Sequence, residues 1–173
     1  MRMHSSQLVS RLVVLALGVS VAQAQDAPAP APAPAPTVDA RVERLLKEVA
    51  AEYTVDEDGD FRLVYDIGGG RSQLVWIPSG TSNFGALEIR QVWSIAHRSQ
   101  GPLPVDLANR LLDRNGAVIL GAWLTEPAGD ELGVIFAVQV AAETDALSLR
   151  SAIHAVATTA DAMEKELTAK DDF

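Results

Sequence analysis

Residues 61–77 read FRLVYDIGGGRSQLVWI, and this stretch decides the fold. Apolar and polar residues alternate over residues 61–67, which is the period of a half-buried β-strand. The three glycines at 68–70 allow a tight turn, and residues 74–77 return the chain as a second strand. The stretch therefore predicts an antiparallel hairpin.

The chain after this hairpin continues with strand and helix patterns. Residues 87–96 predict a third strand. Residues 105–115 have helical spacing and end at an Asn-Gly pair, a common helix stop. Two further strands, residues 117–124 and 132–140, are joined by a Pro-Ala-Gly-Asp turn.

Two longer amphipathic helices flank these strands. Apolar residues recur at helical spacing over 38–53, and Thr37 is placed to cap a helix of about 15 residues. After the last strand, Thr144 is placed to cap a long helix that reaches Leu167. The order is helix, three strands, helix, two strands, helix. We therefore expect an α+β domain over residues 37–173, with an antiparallel sheet packed by the two long helices.

The beginning of the chain has the features of an export signal. Arg2 and Arg11 precede a short apolar run, and the small residues Ala22 and Ala24 suit cleavage, which predicts a signal peptide over residues 1–24. The run is shorter than the roughly 20 residues that span a bilayer. We expect a periplasmic or secreted bacterial protein that is not inserted in a membrane after cleavage.

The next segment, residues 25–36, is a linker of alternating alanine and proline. Proline fixes φ and removes a donor at every second position, so we expect an extended spacer. The chain carries a net charge of −9, which disfavours nucleic acid as a partner. It has no cysteine, so an apolar core rather than disulfides must stabilise the domain.

Short patterns in the domain carry a family resemblance. The run Tyr53–Phe61, which leads into the first long strand, the run Leu111–Asn115 and the amphipathic last helix resemble the YbjN-type proteins, described as sensory transduction regulators. That family shares the fold of type III secretion chaperones. The resemblance spans about residues 38–170 and implies a non-catalytic, often dimeric module. Family members are usually cytoplasmic, so the export signal is a departure from the family.

The strands indicate that both faces of the sheet are apolar. In the second strand, Leu74 and Trp76 alternate with Val75 and Ile77. We expect the two long helices to cover one face and the short middle helix to cover part of the other. A second copy of the chain or an apolar peptide client would cover the rest, so we expect a homodimer formed through the middle helix and its neighbouring strands. The candidate interaction surface comprises Trp76, Leu111, Leu112, Val118, Leu120 and Trp123.

Several motifs suggest chemistry but fail on spacing. The acidic loop at residues 56–60 lacks the glycine and glutamate positions of an EF-hand. The glycines at 68–70 lead into a strand rather than the helix that a phosphate loop requires. His97 and His154 are isolated in the sequence. We therefore expect no catalytic, metal or cofactor site.

Three classes of function remain open from the sequence. The first is an exported protein-interaction or chaperone-like module, favoured by the apolar faces of the sheet. The second is an envelope-associated structural or stress accessory protein tethered by residues 25–36. The third is an enzyme, which would need acidic groups and a histidine to converge in one cleft. The same tryptophans allow two interpretations: a packed core, or a peptide groove formed by Trp76, Trp93 and Trp123 with Ile119.

Overall fold

The computed structural model describes residues 37–173. The signal peptide expected at residues 1–24 and the linker expected at 25–36 lie outside the described residues. In chain order the elements are α1 (Ala40–Glu48), β1 (Thr54–Val55), β2 (Phe61–Gly68), β3 (Arg71–Ile77), β4 (Ser82–Phe84), β5 (Leu87–Ser99), α2 (Val105–Asn115), β6 (Ala122–Ala128), β7 (Glu131–Ala141) and α3 (Ala146–Thr168).

The strands form one open antiparallel sheet, which confirms the α+β class. The order across the sheet is β1-β2-β3-β5-β7-β6, and β4 pairs with β5 beside this path. The sequence predicts five strands, whereas the described residues form seven. The two additional strands, β1 and β4, have only two and three residues. Runs that short carry no readable alternation.

The fourth predicted strand, residues 117–124, begins later than expected, as β6 starts at Ala122. Gly121 has a φ of +90°, which interrupts the extended backbone. The Asn115 side chain accepts a hydrogen bond from Trp123 N at 2.6 Å and donates to Trp123 O at 3.3 Å. Residues 117–120 are apolar, as the prediction required, but they form part of the connection between α2 and β6 rather than a strand.

Gly121 is a position where an added methyl group should be costly. A Cβ there would lie 2.6 Å from the carbonyl oxygen of Ala137 and 2.9 Å from the ring of Phe136. We expect Gly121→Ala to lower the free energy of unfolding by about 3 kcal/mol, through left-handed backbone strain and overpacking. Gly129 is the matched control, because its φ is +67° and a Cβ would meet nothing within 4 Å. Urea unfolding should show a loss near 1 kcal/mol for Gly129→Ala; equal losses would contradict this account.

The ends of the outer helices differ from the prediction. α1 has only nine residues and ends where Ala50 adopts a left-handed φ of 53°. Its cap is Asp39 rather than Thr37, since the Asp39 carboxylate accepts a hydrogen bond from Arg41 N at 2.8 Å. Asp145 rather than Thr144 caps α3 in the same way. Both predicted caps are one or two residues early because several polar residues precede each helix.

All three helices contribute to the same apolar core. Leu46 of α1, Leu107 and Leu111 of α2, and Leu149 of α3 belong to one buried cluster with Phe136 of β7. Only α3 is long, and it contacts β2, β3, β5 and β7. The first and last helices thus pack on one face as expected, but the prediction that α1 is long is wrong, because it has nine residues. The prediction that the middle helix, α2, shields the second face of the sheet is wrong, because its buried side chains pack into the same core as those of α1 and α3.

A buried arginine connects the start of α1 to the sheet. Arg90 of β5 is 2% exposed, and it donates hydrogen bonds to the carbonyl oxygens of Pro78 and Ser79 and to the Asp39 carboxylate. Arg41 also donates to Asp39, and this bonding holds the pKa of Asp39 well below its usual range. Arg41 and Thr81 lower the pKa of Glu88 to about 2. The N-terminus of α1 is thus anchored through charges.

Candidate functional site

The second face of the sheet carries no helix among the described residues, and one row of side chains crosses it. The register pairs Arg62 with Trp76, Trp76 with Trp93, Trp93 with Ala137, and Ala137 with Ala122. Directly paired residues of antiparallel strands lie on the same face. The row therefore runs from large side chains on β2, β3 and β5 to small ones on β7 and β6. We call this side of the sheet the open face.

Two tryptophans form the most prominent feature of the open face. The rings of Trp76 and Trp93 stack with centroids 4.5 Å apart and an angle of 5° between their planes. The guanidinium carbon of Arg62 lies 5.4 Å from the ring centroid of Trp76, on the neighbouring strand. Both tryptophans are half-buried. The stack therefore presents aromatic surface to whatever contacts this face.

A small apolar cluster lies beside the tryptophans. Ile95, Ile135 and Ala137 are each at most 5% exposed, and Trp76 and Trp93 pack against them. The side chains that bury this cluster include Phe173, after the end of α3, as well as the two tryptophans of the sheet. The cluster forms the apolar base of the open face.

A cavity of about 380 Å³ opens between this cluster and the edge strand β6. Gly133 of β7 is paired with Arg98 and with Glu126, and its missing side chain leaves room on the face. Arg98 and Glu126 border the cavity, so an apolar hollow is flanked by one positive and one negative group. The lining residues are Trp76, Gln91, Trp93, Ile95, Arg98, Glu126, Pro127, Ala128, Gly133 and Ile135.

The open face carries one polar group without a partner. Arg62 Nε is buried and, within residues 37–173, has no hydrogen-bond acceptor. A buried donor left unpaired costs roughly 1–3 kcal/mol. Because this Nε is shielded from solvent, a bound segment could pair with it only after the Arg62 side chain moves.

The six residues of the predicted interaction surface do not lie together. Trp76 is on the open face, but Leu111 and Trp123 are each 5% exposed and belong to the core beneath the helices. Val118 packs partly against that core. Leu112 on α2 and Leu120 in the following connection are exposed. The sequence could not separate these residues, because strand patterns show which residues share a face but not which face the helices cover.

The structure places the tryptophans in two groups. Trp76 and Trp93 line the open face, as the groove interpretation requires, while Trp123 meets Phe136 edge-on at 5.1 Å in the core. Ile119 is fully exposed and is absent from the lining of the cavity. Neither Arg62 nor Gly133 stands out in the sequence as a binding residue. The alternation of residues along β2 and β7 was the only available signal, because it indicates which residues of each strand share a face with Arg62 or Gly133.

The motifs that suggest chemistry have structural roles here. One Asp56 oxygen accepts hydrogen bonds from the backbone N–H groups of Asp58 and Asp60, at 3.1 and 3.0 Å, which closes the acidic turn. Asp60 accepts a bond from Ser79 N at 2.8 Å, and burial raises the pKa of Asp60. His154 Nδ1 lies 2.8 Å from the Tyr65 hydroxyl.

A cluster of carboxylates at the end of α3 surrounds an arginine. Oxygen atoms of Asp161, Glu164 and Asp171 lie within 4.8 Å of one another. Arg71 Nε is 2.6 Å from Asp161, and Arg71 Nη2 is 3.5 Å from Glu164 and 3.7 Å from Asp171. Burial raises the pKa of Glu164. The guanidinium supplies the positive charge, so this is an ion-pair network that joins β3 to α3.

Fold and site together define an α+β domain with one helix-covered face and one open aromatic face. No family model matches the chain, and no curated protein matches it. Within residues 37–173, no helix has both the length and the apolar character needed to cross a membrane.

Proposed function

We propose that this protein is a non-catalytic, exported protein-interaction module of chaperone-like type, whose open face binds an apolar segment of another polypeptide. The observation that carries the proposal is the half-buried Trp76–Trp93 stack beside an apolar cavity, on the face that α1, α2 and α3 leave uncovered. Contiguous exposed apolar surface commonly marks an interaction site.

The shape of the site favours a polypeptide over a compact small molecule. The cavity is open, and β6 and β7 also border a second hollow of about 300 Å³, which Leu120, Leu124 and Ala137 help to line. An extended segment can place successive apolar side chains in such hollows. Tryptophan provides large contact area at low conformational cost, which suits recognition of varied sequences.

Export and family membership are parts of the same proposal. Export rests on the signal-like sequence of residues 1–24, and the YbjN-type relationship rests on the runs Tyr53–Phe61 and Leu111–Asn115. An open, apolar sheet face is compatible with a chaperone-like module. The client would then be met outside the cytoplasm.

Binding of an unfolded polypeptide tests the proposal. A fluorescently labelled, reduced and carboxymethylated polypeptide that cannot refold is titrated with the protein, and its anisotropy is followed. We expect saturable binding that Trp93→Ala weakens and that Leu147→Ala leaves unchanged. Leu147 is the control because it is an exposed leucine, 62% exposed, on α3. Absence of binding, or equal loss in both variants, would refute the proposed function.

A second copy of the chain is the second candidate partner, and a separate apolar surface favours it. Val105 and Leu112 lie seven residues apart on α2 and are 73% and 66% exposed. Leu120, in the connection after α2, is 45% exposed. These residues could form a homodimer through α2 and the neighbouring β6.

Light scattering measures this association directly. From about 1 to about 100 µM protein, we expect the mass to rise toward that of a dimer. Leu112→Glu should hold it at the monomer value. A monomer mass at every concentration would remove the homodimer.

A further inference from the structure

The residues after α3 leave the helical layer and run toward the open face. Ala169 has a left-handed φ of 57°, which turns the chain. Arg71 Nη1 donates a hydrogen bond to the carbonyl oxygen of Lys170 at 2.7 Å, and Ser72 N donates to the Asp171 carboxylate at 3.3 Å. The backbone N–H of Asp172 donates to the buried Glu164 carboxylate at 2.6 Å. Three successive residues of this segment, which we call the tail (residues 169–173), are thus held by polar contacts.

The tail places an aromatic ring on the open face. Phe173 is half-buried and packs against the cluster of Ile95, Ile135 and Ala137. The guanidinium carbon of Arg98 lies 5.9 Å from the centroid of the Phe173 ring. α3 packs on the other face of the sheet, whereas the tail that follows it reaches the open face through Phe173.

The sheet is locally open where the tail passes it. β3 and β5 are paired in register only at Trp76 and Trp93. Toward the start of β3, side-chain bonds replace the backbone ladder: Gln73 Nε2 donates to Ile95 O at 2.6 Å, and Ser94 Oγ donates to Leu74 O at 2.6 Å. The tail contacts Arg71 and Ser72 at this end of β3.

We infer that the tail occupies part of the binding surface in the free protein, and that the partner segment which displaces it has the same chemistry: an aromatic side chain preceded by carboxylates. The inference rests on the proposed function. The tail reads Ala-Lys-Asp-Asp-Phe. The chain is acidic overall, yet both ends of this sequence meet arginines: Arg71 lies beside the Asp171 carboxylate, and Arg98 lies over the Phe173 ring.

Charge and shape both support this class of partner. Arg71 lies beside the Asp171 carboxylate and Arg98 lies over the Phe173 ring, so a segment with a carboxylate before an aromatic ring meets a positive group at each of these two positions. The cavity next to the Ile95 cluster can accept a further apolar side chain of a longer segment. A purely basic segment would be repelled by these arginines, and a purely aliphatic segment would offer them neither a carboxylate nor an aromatic ring.

A covalently attached tail competes strongly with a free segment. Its effective concentration is of the order of millimolar, so removal of the tail should raise the apparent affinity for a segment that uses the same surface. We expect a labelled peptide with the sequence of residues 168–173 to bind the protein lacking residues 169–173 at least about tenfold more tightly than it binds the full chain.

Variants of the protein and of the peptide make the test specific. In the full chain, Phe173→Ala should raise peptide affinity, while Lys170→Ala should not, because Lys170 contributes its carbonyl oxygen rather than its side chain. Phe173→Ala also keeps the Arg71 contacts, so it serves if the truncated chain does not fold, as judged by circular dichroism. Peptides with alanine for the phenylalanine, or with asparagine for both aspartates, should bind more weakly than the parent.

The outcomes separate this inference from the proposed function. Trp93-dependent binding of the unfolded polypeptide, without binding of the tail peptide to the truncated chain or to Phe173→Ala, would overturn this inference alone. Equal binding of the tail peptide by the full chain and by these variants would also overturn it. Loss of both polypeptide and peptide binding would overturn the proposed function itself.

Discussion

Replacing Arg90 with methionine is expected to lower the free energy of unfolding by about 3 kcal/mol. Arg90 is 2% exposed and donates to two carbonyl oxygens and to Asp39. Methionine fills similar volume but leaves those acceptors, which are largely screened from water, without their donor. We place the loss at the lower end of the range for broken buried pairs, because Asp39 keeps its contact with Arg41.

Arg41→Met is the matched control for this prediction. It removes the same charge from the same cluster, but its side chain is 30% exposed and its pairs are partly screened by water. Chemical unfolding followed by circular dichroism should therefore show a clearly smaller loss for Arg41→Met. An Arg90→Met protein as stable as the parent, or a larger loss for Arg41→Met, would contradict the role assigned to the buried arginine.

Trp93→Ala is expected to weaken binding of the unfolded polypeptide at least about tenfold, because central aromatic residues of an interface commonly dominate its affinity. The substitution removes one ring of the stack and also leaves Trp76 without its partner at 4.5 Å. It deletes part of the cavity wall as well. Anisotropy titrations measure the change, with circular dichroism as the check that the sheet is intact.

Gly133→Ala tests the same surface without removing any contact. A Cβ at Gly133 would lie 3.5 Å from Glu126 O and 3.5 Å from Ile95 Cδ1, which is ordinary van der Waals contact, so the fold should be retained. The methyl group narrows the cavity, and we expect a few-fold weaker binding. Unchanged affinity in both Gly133→Ala and Trp93→Ala would place the binding surface elsewhere.

Alternation and breakers were sufficient to predict much of this fold. The hairpin of residues 61–77 is present as β2 and β3, and the α2 helix ends at Asn115 as expected. The expectation that β3 is apolar on both sides is confirmed: Val75 and Ile77 are fully buried, while Leu74 and Trp76 are half-buried on the open face. A strand that is apolar on both sides predicts that something packs against each face of the sheet.

The side on which the helices pack could not be predicted from alternation. Because β3 is apolar on both sides, its pattern does not distinguish the helix-covered face from the open one. The helix-covered side is set by the packing of α3 against β2, β3, β5 and β7, which joins residues far apart in the sequence. For the same reason Trp123 could not be separated from Trp76.

The position of the tail also could not be predicted from the sequence pattern. Five residues after a helix show no periodicity, and Phe173 gives no sign of the surface it contacts. Its position follows from long-range contacts: Arg71, ninety-nine residues earlier, binds Lys170, and Arg98 covers the phenyl ring. Contacts of this kind depend on the completed sheet.

Fluorine NMR of the protein labelled with 5-fluorotryptophan tests the central claim most directly. The chain contains three tryptophans, of which Trp76 and Trp93 lie on the open face and Trp123 lies in the core. At saturating unfolded polypeptide, we predict that the resonances of Trp76 and Trp93 shift or broaden while that of Trp123 stays unchanged. Saturation without any change at Trp76 and Trp93 would contradict the claim that the open face is where this protein binds its partner.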